Sequence, residues 1–460
     1  MASLEEIRQA RLEKVNILKE NGMDPYPARV ERDHSNDELQ RNFESFIDSK
    51  VTVVGRIMSL RGQGAIIFAD LFDGTEKIQA LIKEDSVSSF SLFKETVDQG
   101  DFIQVTGKCF VSKRGENTVE ASDWKMVAKS LRPVPDEWYG LKDEDERYRR
   151  RYVDILLNEE VKNRFIKKSV FWNSFRTYLL DKGYVEVETP ILENTPGGAD
   201  ARPFTTHHNA FDIDVYLRIS AGELWQKELL VAGYPKVFEI GRIFRNEGVS
   251  HEHLQDYTQV EFYEAYSDYK KGMEMIKDLY RYVAEKTFGT TKFTIDGSEV
   301  DLSHDWEIYD YIEIIKEKAG IDVLEAKEGE LIDKLKELSV DFDKKEINRE
   351  RAVDLIWKKF RKELVGPGFL INIPLFLEPL AKRAEDERVV ERFQVILGGS
   401  EMGKGFSELN NPIDQGERFQ HQEELRKSGD DEAHMKNDDY VEAMEYGMPP
   451  AFGFGISERL

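Results

Sequence analysis

Five short stretches between residues 51 and 128 constrain the fold most strongly, because each of them alternates apolar and polar residues. Alternation with a period of two is typical of β-strands that bury one face. Turn residues such as Asp73, Gly74 and Thr75 separate the stretches. Five strands in so short a segment predict a small closed β-barrel.

A five-stranded barrel of this length resembles the oligonucleotide-binding fold (OB-fold). That fold presents the face of its second and third strands to single-stranded nucleic acid. The sequence therefore predicts an OB-fold domain over residues 46–135, preceded by a helical extension over residues 1–45.

The charge balance argues against a protein that coats DNA without sequence preference. The 460 residues include 65 basic and 89 acidic ones, a formal net charge of −24, whereas non-specific DNA binding depends on neutralising many phosphates. A local basic patch can still bind a polyanion, and residues 147–152 (RYRRRY) form such a run. Salt bridges to Asp143, Glu144 and Glu146 explain the run equally well, so both interpretations stay open.

The sequence predicts no targeting or membrane segment. The longest apolar stretch, residues 369–377, contains Asn372 and Pro374 and is far shorter than the ~20 residues that span a bilayer. The amino terminus alternates charges along a helix, unlike a secretory signal. The single cysteine, Cys109, excludes an internal disulfide and a Cys-pair zinc site. We therefore expect a protein of the reducing cytoplasm.

From residue 163 onward, helices and apolar strands are mixed without a regular βαβ rhythm, and neither GxxxxGK[ST] nor GxGxxG is present. We therefore predict an α+β protein in which a linker over residues 136–160 leads to a second domain over residues 161–460. This domain is expected to contain an antiparallel sheet with flanking helices. An acidic stretch at residues 303–364 is interpreted as a helical insertion.

Three segments of the second domain place charged residues beside apolar strand positions. The first ends a predicted strand at Pro190. The second, residues 238–264, predicts a hairpin in which Arg245 and Glu247 share one face. The third, GFGISER, alternates glycines with apolar residues before Arg459, so that a flat ligand can lie against bare backbone.

Together these segments resemble the three signature motifs of class II aminoacyl-tRNA synthetases of the lysyl type. Motif 1 is similar to GYVEVETPIL, motif 2 to FRNEG through FYEAY, and motif 3 to GFGISERL. Their order, their spacing and the barrel in front of them make the combination specific, and the resemblance covers residues 12–460. Residues 196–209 and 401–410 resemble lysyl members rather than aspartyl or asparaginyl ones. Motif 1 implies a homodimer, with Pro190 at the interface.

The resemblance implies a two-step reaction with ATP, L-lysine and tRNA(Lys) as substrates. The lysine carboxylate attacks the α-phosphate of ATP to give an adenylate, and the lysyl group is then transferred to the 3′ end of the tRNA. Such a displacement depends on positioning and cationic charge more than on a protein nucleophile. The resemblance implies that Arg245 and Arg459 are catalytic. The implied ATP-binding residues are Arg245, Glu247, His253, Tyr257, Glu401 and Arg459.

The resemblance also implies a carboxylate pocket for the substrate lysine. Glu408 and Tyr263 correspond to residues that contact the side-chain ammonium. Gly198, Glu223 and Glu261 correspond to groups that take the amino end. Such a pocket rejects a neutral or acidic ligand by on the order of 10⁴, because that ligand leaves buried charges unpaired. Taken singly, the glutamates also fit ordinary strand-face or loop positions.

In the barrel, the resemblance implies an anticodon-binding face. Phe68 and Gln79 correspond to residues that stack on and hydrogen-bond the central anticodon base, with Glu116 as a third contact. Stacking a base on an aromatic side chain contributes about 1–3 kcal/mol. The alternative that Phe68 belongs to the barrel core stays open at this point.

Magnesium is the implied cofactor, held on the ATP phosphates by two acidic residues seven positions apart. Glu401 matches one of them, but the other position is Gln394, whose neutral oxygen should weaken or shift the metal. Glu408 is a further candidate ligand. Two other departures are a turn before Glu223 that is one residue longer than usual, and a chain that ends one residue after Arg459. The second predicts a shortened carboxyl terminus.

Three other functions stay open. Aspartyl- or asparaginyl-tRNA synthesis would favour a cation in place of Glu408. A tRNA-independent lysine ligase would dispense with the barrel, which this chain keeps. A non-catalytic RNA-binding paralogue would be consistent with Gln394 and the early end, and it predicts tRNA binding without adenylate formation.

Overall fold

A computed structural model of the chain describes residues 3–62, 64–135, 141–199, 201–248, 254–295, 297–343, 347–427 and 433–460. The chain forms two compact units that divide after Lys162. Among the helices of these ranges, none is both long and apolar enough to cross a membrane.

The first unit holds all of the strands predicted between residues 51 and 128, together with short helices. Its described helices are α1 (Leu4–Glu20), α2 (Asn36–Arg41), α3 (Phe43–Phe46), α4 (Phe90–Thr96), α5 (Glu144–Arg149) and α6 (Arg151–Leu157). Its strands are β1 (Lys50–Arg61), β2 (Ile66–Phe72), β3 (Lys77–Lys83), β4 (Phe102–Val111) and β5 (Asn117–Ala128).

The five strands close into a barrel in the order β1-β2-β3-β5-β4. β3 and β5 pair in parallel, and the other neighbouring strands pair antiparallel. Alternate residues of each strand point into the barrel and form its core, among them Val53, Ala69, Ile78, Val105 and Trp124. The predicted closed barrel is confirmed.

The first helix is capped and packed. The Ser3 hydroxyl accepts a hydrogen bond from the Glu6 N–H at 3.2 Å, and the Glu6 carboxylate accepts one from the Ser3 N–H at 2.6 Å, which forms a capping box. Arg11 is buried and donates to the carbonyl oxygens of Ser130 and Gln99 at 3.0 and 3.1 Å. α1 is therefore anchored to the segments that flank β4 and β5.

The basic run lies in α5 and α6, within the predicted linker; residues 136–140 of that linker lie outside the described residues. Arg147 pairs with Asp154 at 3.1 Å, Arg150 pairs with Glu146 at 2.9 Å, and Arg151 also pairs with Asp154. These contacts support the salt-bridge interpretation for three arginines of the run. Asp154 was not among the predicted partners: it lies three residues after Arg151 in α6, and the turn between the two helices brings Arg147 close to it.

The second unit contains long helices and an extended sheet. Its helices are α7 (Glu159–Asp181, which begins just before the division), α8 (Glu223–Val231), α9 (Tyr269–Phe288), α10 (Tyr311–Ala319), α11 (Glu328–Glu337), α12 (Arg349–Phe360), α13 (Pro412–Lys427) and α14 (Asp438–Glu445). Its strands are β6 (Val185–Glu186), β7 (Leu192–Glu193), β8 (Thr205–His208), β9 (Ile213–Leu217), β10 (Lys236–Phe244), β11 (Asp256–Ala265), β12 (Lys292–Ile295), β13 (Ser298–Asp301), β14 (Glu307–Asp310), β15 (Gly368–Ile371), β16 (Arg392–Leu397), β17 (Ser400–Ser407) and β18 (Ala451–Ser457).

The main sheet has eight strands in the order β14-β15-β16-β17-β18-β11-β10-β6. Its two outer pairs are parallel and the pairs between them are antiparallel. The predicted α+β fold with an antiparallel-rich sheet and flanking helices is confirmed.

The segment 303–364, interpreted as an insertion, contains α10, α11 and α12. Their apolar faces pack into one core cluster through Ile315, Leu331, Val353 and Ile356. The segment also supplies β14, which pairs in parallel with β15 at one edge of the sheet. It is therefore built into the second unit, because one of its strands completes the sheet.

The two faces of β11, an inner strand of the main sheet, lie in different environments. Val260 and Phe262 lie on one face, in a core that α9 contributes to through Ile276 and Leu279. Residues of the opposite parity, such as Tyr263, belong to the other core cluster. The odd-numbered polar residues of β11, among them Tyr257, Glu261 and Tyr263, therefore share the face opposite α9, and they include the predicted lysine and ATP residues of this strand.

Candidate active site

The odd-numbered residues of β11 define the floor of the candidate active site. Glu261 lies opposite Gly455 of β18, and Tyr263 lies opposite Gly453. A Cβ atom on Gly453 would lie 2.1 Å from Glu408 Oε1 and 2.4 Å from the Tyr263 ring. The glycine of the third motif thus leaves room for two of the predicted lysine-binding side chains.

Glu261 is a buried hydrogen-bond acceptor on this floor. Its Oε1 accepts from the Ala221 N–H at 2.9 Å and from Gln259 Nε2 at 2.7 Å, and its Oε2 accepts from the Tyr263 hydroxyl at 3.1 Å. Burial and the neighbouring Glu223 raise the pKa of Glu261 to about 7, against the opposing effect of these hydrogen bonds.

Glu223 begins α8, and the turn before it is shaped by glycine. Gly222 is the N-cap with φ +74°, a left-handed conformation that favours glycine. A Cβ on Gly198 would lie 2.5 Å from Glu223 Cβ and 2.6 Å from Ser220 Oγ. The structure therefore brings Gly198 and Glu223 together, as the resemblance implied.

Lys227 is the residue of the pocket that the sequence analysis missed. Its Nζ lies 2.7 Å from Glu223 Oε1 and 2.6 Å from Glu408 Oε2, and its side chain is 1% exposed. Burial alone would lower its pKa, but Glu223 and Glu408 raise the pKa of Lys227 above its ordinary value. The sequence feature that could have identified Lys227 is its position four residues after Glu223 in one helix, because this spacing places both side chains on the same face.

Glu408 lies just after β17, and its side chain is fully buried. Burial raises the pKa of Glu408 to about 8, while Lys227 acts to lower it. Among the described residues, neither oxygen of its carboxylate has a hydrogen-bond partner; Oε2 lies 2.6 Å from Lys227 Nζ in an ion pair, and Oε1 is the oxygen beside Gly453. This oxygen is therefore available to a donor from a ligand.

Arg245 continues β10 into the turn, where its N–H donates to the Gln255 carbonyl at 2.8 Å. Its Nε donates to the Ile219 carbonyl at 3.2 Å, and its guanidinium lies 5.9 Å from the centroid of the Tyr257 ring. Glu247 is half-buried two residues further on, in the segment after β10 ends at Phe244, so its predicted shared face with Arg245 stays a prediction. His253 lies outside the described residues.

The residues predicted to hold magnesium are engaged with donors of the protein. Gln394 Oε1 accepts from Arg392 at 2.7 Å, and Glu401 Oε1 accepts from the Trp357 indole at 2.7 Å. Glu401 Oε2 lies 3.7 Å from Arg361. Within the described ranges, no group of three or more His, Cys, Asp or Glu side chains is arranged to hold a metal ion. A protein-only metal cage is therefore absent from this part of the chain.

Arg459 follows β18 with an exposed side chain. Its Nη2 lies 3.5 Å from the Ser400 hydroxyl, next to Glu401 in the sequence. The structure therefore brings together the third motif and the strand that carries Glu401.

The predicted anticodon residues lie in the first unit. Phe68 pairs with Leu81 across β2 and β3, and Gln79 pairs with Asp70, so Phe68 and Gln79 are diagonal neighbours on one face. Phe68 is half-exposed, whereas Ala69 beside it is fully buried in the core. The Phe68 side chain thus points away from the barrel core.

Two further polar contacts belong to this face. Gln79 Oε1 accepts from the Thr118 hydroxyl at 3.1 Å. Glu116 is exposed in the turn before β5, and its carbonyl oxygen accepts from the same hydroxyl at 2.9 Å. Gln79 and Glu116 therefore lie close together through Thr118.

Pro190 is exposed next to two exposed apolar residues, Ile191 and Leu192. The helix α7 also carries exposed apolar side chains, among them Phe165 and Ile166 at 47% and 52% exposure. Adjacent exposed apolar residues mark candidate contact surfaces between proteins.

Comparison with known proteins gives matches over nearly the whole chain. A family described as tRNA synthetases class II (D, K and N) matches residues 143–460, and the OB-fold nucleic acid binding domain matches residues 51–130. The lysine–tRNA ligase of Thermosipho africanus is 42% identical over 98% of this chain and 91% of its own length. The lysine–tRNA ligase of Clostridium perfringens (strain 13 / Type A) is 44% identical over 98% of this chain and 92% of its own length.

The chain therefore belongs to the class II tRNA synthetases of the D, K and N group, with an OB-fold domain in front of the catalytic domain. Within that class, it belongs to the same family as the lysine–tRNA ligases. The resemblance inferred from the three motifs is confirmed.

Proposed function

We propose that this chain is a lysine–tRNA ligase, which activates L-lysine with ATP and transfers it to the 3′ end of tRNA(Lys). The observation that carries the proposal is the buried cluster of Glu223, Glu261 and Glu408 beside Tyr263. Carboxylates and a hydroxyl in a dry pocket suit an ammonium ligand, because charge-assisted hydrogen bonds are strongest there. Aspartate or asparagine offers no side-chain ammonium, so either would leave Glu408 Oε1 without a donor, which disfavours both as substrates.

In this proposal the pocket orients lysine from both ends. Glu408 and Tyr263 contact the side-chain ammonium, while Gly198, Glu223 and Glu261 surround the α-ammonium. The lysine carboxylate then points towards Arg245, whose guanidinium clamps it against the α-phosphate of ATP. An oxygen of that carboxylate attacks the α-phosphorus, and the bond to the pyrophosphate oxygen breaks.

The ATP side of the proposal uses the turn of the β10–β11 hairpin and the end of β18. Tyr257 stacks on adenine, Glu247 accepts from its amino group, and Arg459 covers the other face and reaches the terminal phosphates. His253 is proposed as a contact of the ATP tail. Support comes from Arg245 and Tyr257, whose guanidinium and ring are 5.9 Å apart.

Magnesium is the proposed cofactor, which when bound would neutralise charge on the ATP phosphates. In ATP sites this ion typically takes one or two carboxylates, with water and phosphate oxygens as its other ligands. Glu401 suits that role because its side chain is part-exposed. Gln394 suits it less, since its oxygen accepts from Arg392, and Glu408 already pairs with Lys227.

ATP–pyrophosphate exchange with lysine, aspartate and asparagine offered separately tests this function. We expect exchange with lysine alone, followed by charging of tRNA(Lys). Exchange with aspartate or asparagine would contradict the assigned amino acid. Lysine-dependent exchange without tRNA charging would indicate a tRNA-independent ligase, and tRNA binding without exchange would indicate the RNA-binding paralogue.

The OB-fold domain is proposed to read the anticodon through Phe68, Gln79 and Glu116. Replacing Phe68 with alanine should lower kcat/KM for tRNA charging by roughly 10- to 100-fold, because one stacked base contributes about 1–3 kcal/mol. Lysine-dependent exchange should be unchanged, since it requires no tRNA. The measurement is charging and exchange on the same preparation.

Phe102→Ala is the matched control, because Phe102 is also half-buried but lies on β4, where it stacks with Arg56 at 4.3 Å. It should leave charging close to the unmodified level. Equal loss of charging and exchange in Phe68→Ala would indicate damage to the fold and would contradict the platform role.

A homodimer is proposed as the assembly, with Pro190 at its interface. The exposed apolar residues Ile191, Leu192, Phe165 and Ile166 support this assignment, because a second copy would cover them. The cytoplasm is proposed as the location, since the tRNA substrate is used where translation takes place.

A further inference from the structure

We propose that Lys227 is a positioning residue for amino-acid specificity: its ammonium holds the carboxylates of Glu223 and Glu408 in place and cancels one of their two charges. This inference rests on the proposed lysine pocket and adds to it a group that the signature motifs do not contain. Its basis is the geometry around one buried nitrogen atom.

Lys227 Nζ bridges two carboxylates that are far apart in the sequence. The distances are 2.7 Å to Glu223 Oε1 and 2.6 Å to Glu408 Oε2. The side chains of these three residues are 5% exposed or less. A cation so placed fixes both acceptors, because each must keep one oxygen directed at the same nitrogen.

The bridge uses only one oxygen of Glu408. Among the described residues, its other oxygen, Oε1, has no hydrogen-bond partner, and this atom lies beside the bare backbone of Gly453. A buried acceptor without a donor is costly unless a ligand supplies one. The ammonium of a substrate lysine would supply that donor.

The charges of the two carboxylates explain why a cation of the protein is needed beside them. Two carboxylates close together in a dry site resist being ionised at the same time. Lys227 favours the ionised form of both carboxylates, because its ammonium lies 2.7 Å from Glu223 and 2.6 Å from Glu408. Without Lys227 the ionised form of Glu408 would be less favoured, and a protonated carboxyl would bind the substrate ammonium weakly.

Among the groups around Glu408, Lys227 is the cation that most directly affects the protonation of Glu408. Other charged or titratable groups that interact with Glu408 or Lys227 are Glu223, Glu378, Tyr263, Tyr440 and the buried His434. Glu378 has its own cations, Arg392 at 2.9 Å and Lys404 at 3.3 Å. Within the described residues, Lys227 is the cation in ion-pair contact with Glu408. Removing its charge should therefore favour protonation of Glu408 at neutral pH.

The first test replaces Lys227 with methionine, an unbranched side chain that is one atom shorter and carries no charge. We expect the KM for lysine at pH 7 to rise about 100-fold in ATP–pyrophosphate exchange, with the KM for ATP within about threefold of the unmodified value. The KM for lysine should fall as Glu408 loses its proton, and this fall should lie at higher pH in Lys227→Met than in the unmodified protein, because Lys227 acts to lower the pKa of Glu408.

Lys236→Met is the matched control, because Lys236 also pairs with a glutamate, Glu264 at 3.1 Å, but lies at the start of β10. It should behave as the unmodified protein does. A folded Lys227→Met variant with an unchanged KM for lysine, or with equal increases in both KM values and no shift with pH, would overturn the inference.

The second test is chemical rescue. Lys227→Ala removes three methylene groups and the ammonium, which together have the size of n-propylammonium. This ion should lower the KM for lysine of Lys227→Ala at least tenfold, whereas neutral n-propanol should not. In the unmodified protein the same ion should only compete with lysine. Absence of rescue in a folded variant would count against the inference, while absence of lysine-dependent exchange in the unmodified protein would overturn the proposed function itself.

Discussion

Replacing Glu408 with glutamine should raise the KM for lysine by about 10²- to 10³-fold, while the KM for ATP stays within about threefold. Glu408 is buried, so its charge acts with little screening. Losing one partner of a buried, hydrogen-bonded charge pair costs about 2–5 kcal/mol, much of it because the other charge is left unpaired. The measurement is ATP–pyrophosphate exchange at varied lysine and at varied ATP.

The control for Glu408→Gln is Glu264→Gln. Glu264 is on β11 beside Tyr263, but it has the opposite parity and contacts Tyr184 and Lys236, outside the pocket. Its replacement should leave the KM for lysine nearly unchanged. An unchanged KM for lysine in Glu408→Gln would refute the role of Glu408 as the reader of the side-chain ammonium.

Replacing Arg245 with alanine should lower the rate of adenylate formation by about 10³-fold. The proposed role is electrostatic stabilisation of charge on the transferring phosphate, an effect for which a single arginine contributes about 10³ or more. Arg245→Lys should restore little of the rate, because an ammonium cannot bind the carboxylate and the phosphate in the planar geometry of a guanidinium. Single-turnover formation of the adenylate measures the step directly.

Arg242→Ala is the control for Arg245, because Arg242 lies three residues earlier on β10 with an exposed side chain paired to Asp256. Exposed ion pairs contribute about 0–1 kcal/mol, so this variant should retain most of its activity. A loss of only a few fold in Arg245→Ala, or equal losses in both variants, would contradict the proposed clamp.

The barrel and the motif 2 hairpin were predictable because their signals are local. The alternating pattern around Phe68 or Glu261 is set by neighbours one and two positions away, and a strand converts it directly into two faces. The shared face predicted for Arg245 and Glu247 rests on the same period, but β10 ends at Phe244, before both residues. For these elements, the sequence carried the existence of the strand, but it left open whether Phe68 points into the barrel core.

The pairing of charges was not predictable in the same way. Lys227 looked like one lysine of an amphipathic helix, because Glu408, its second partner, comes from a strand end much later in the chain. Gln394 was interpreted as a metal ligand by position, yet its oxygen is turned towards Arg392. Which donor a buried oxygen meets depends on long-range packing, and no local pattern records it.

The arrangement of β11 also has an evolutionary consequence. Tyr257, which is proposed to contact adenine, and Glu261 and Tyr263, which are proposed to contact the amino acid, lie on one face of a single strand. β10 pairs with β11 from Asp256 to Glu264 and β18 pairs with it from Gln259 to Ala265, without a register shift in either pairing, so the spacing between the two ends is fixed. Substitutions at one end can therefore change which amino acid is accepted while the nucleotide end keeps its geometry. Related proteins built on such a strand can therefore diverge in amino-acid specificity through a few substitutions, while the reaction with ATP stays the same.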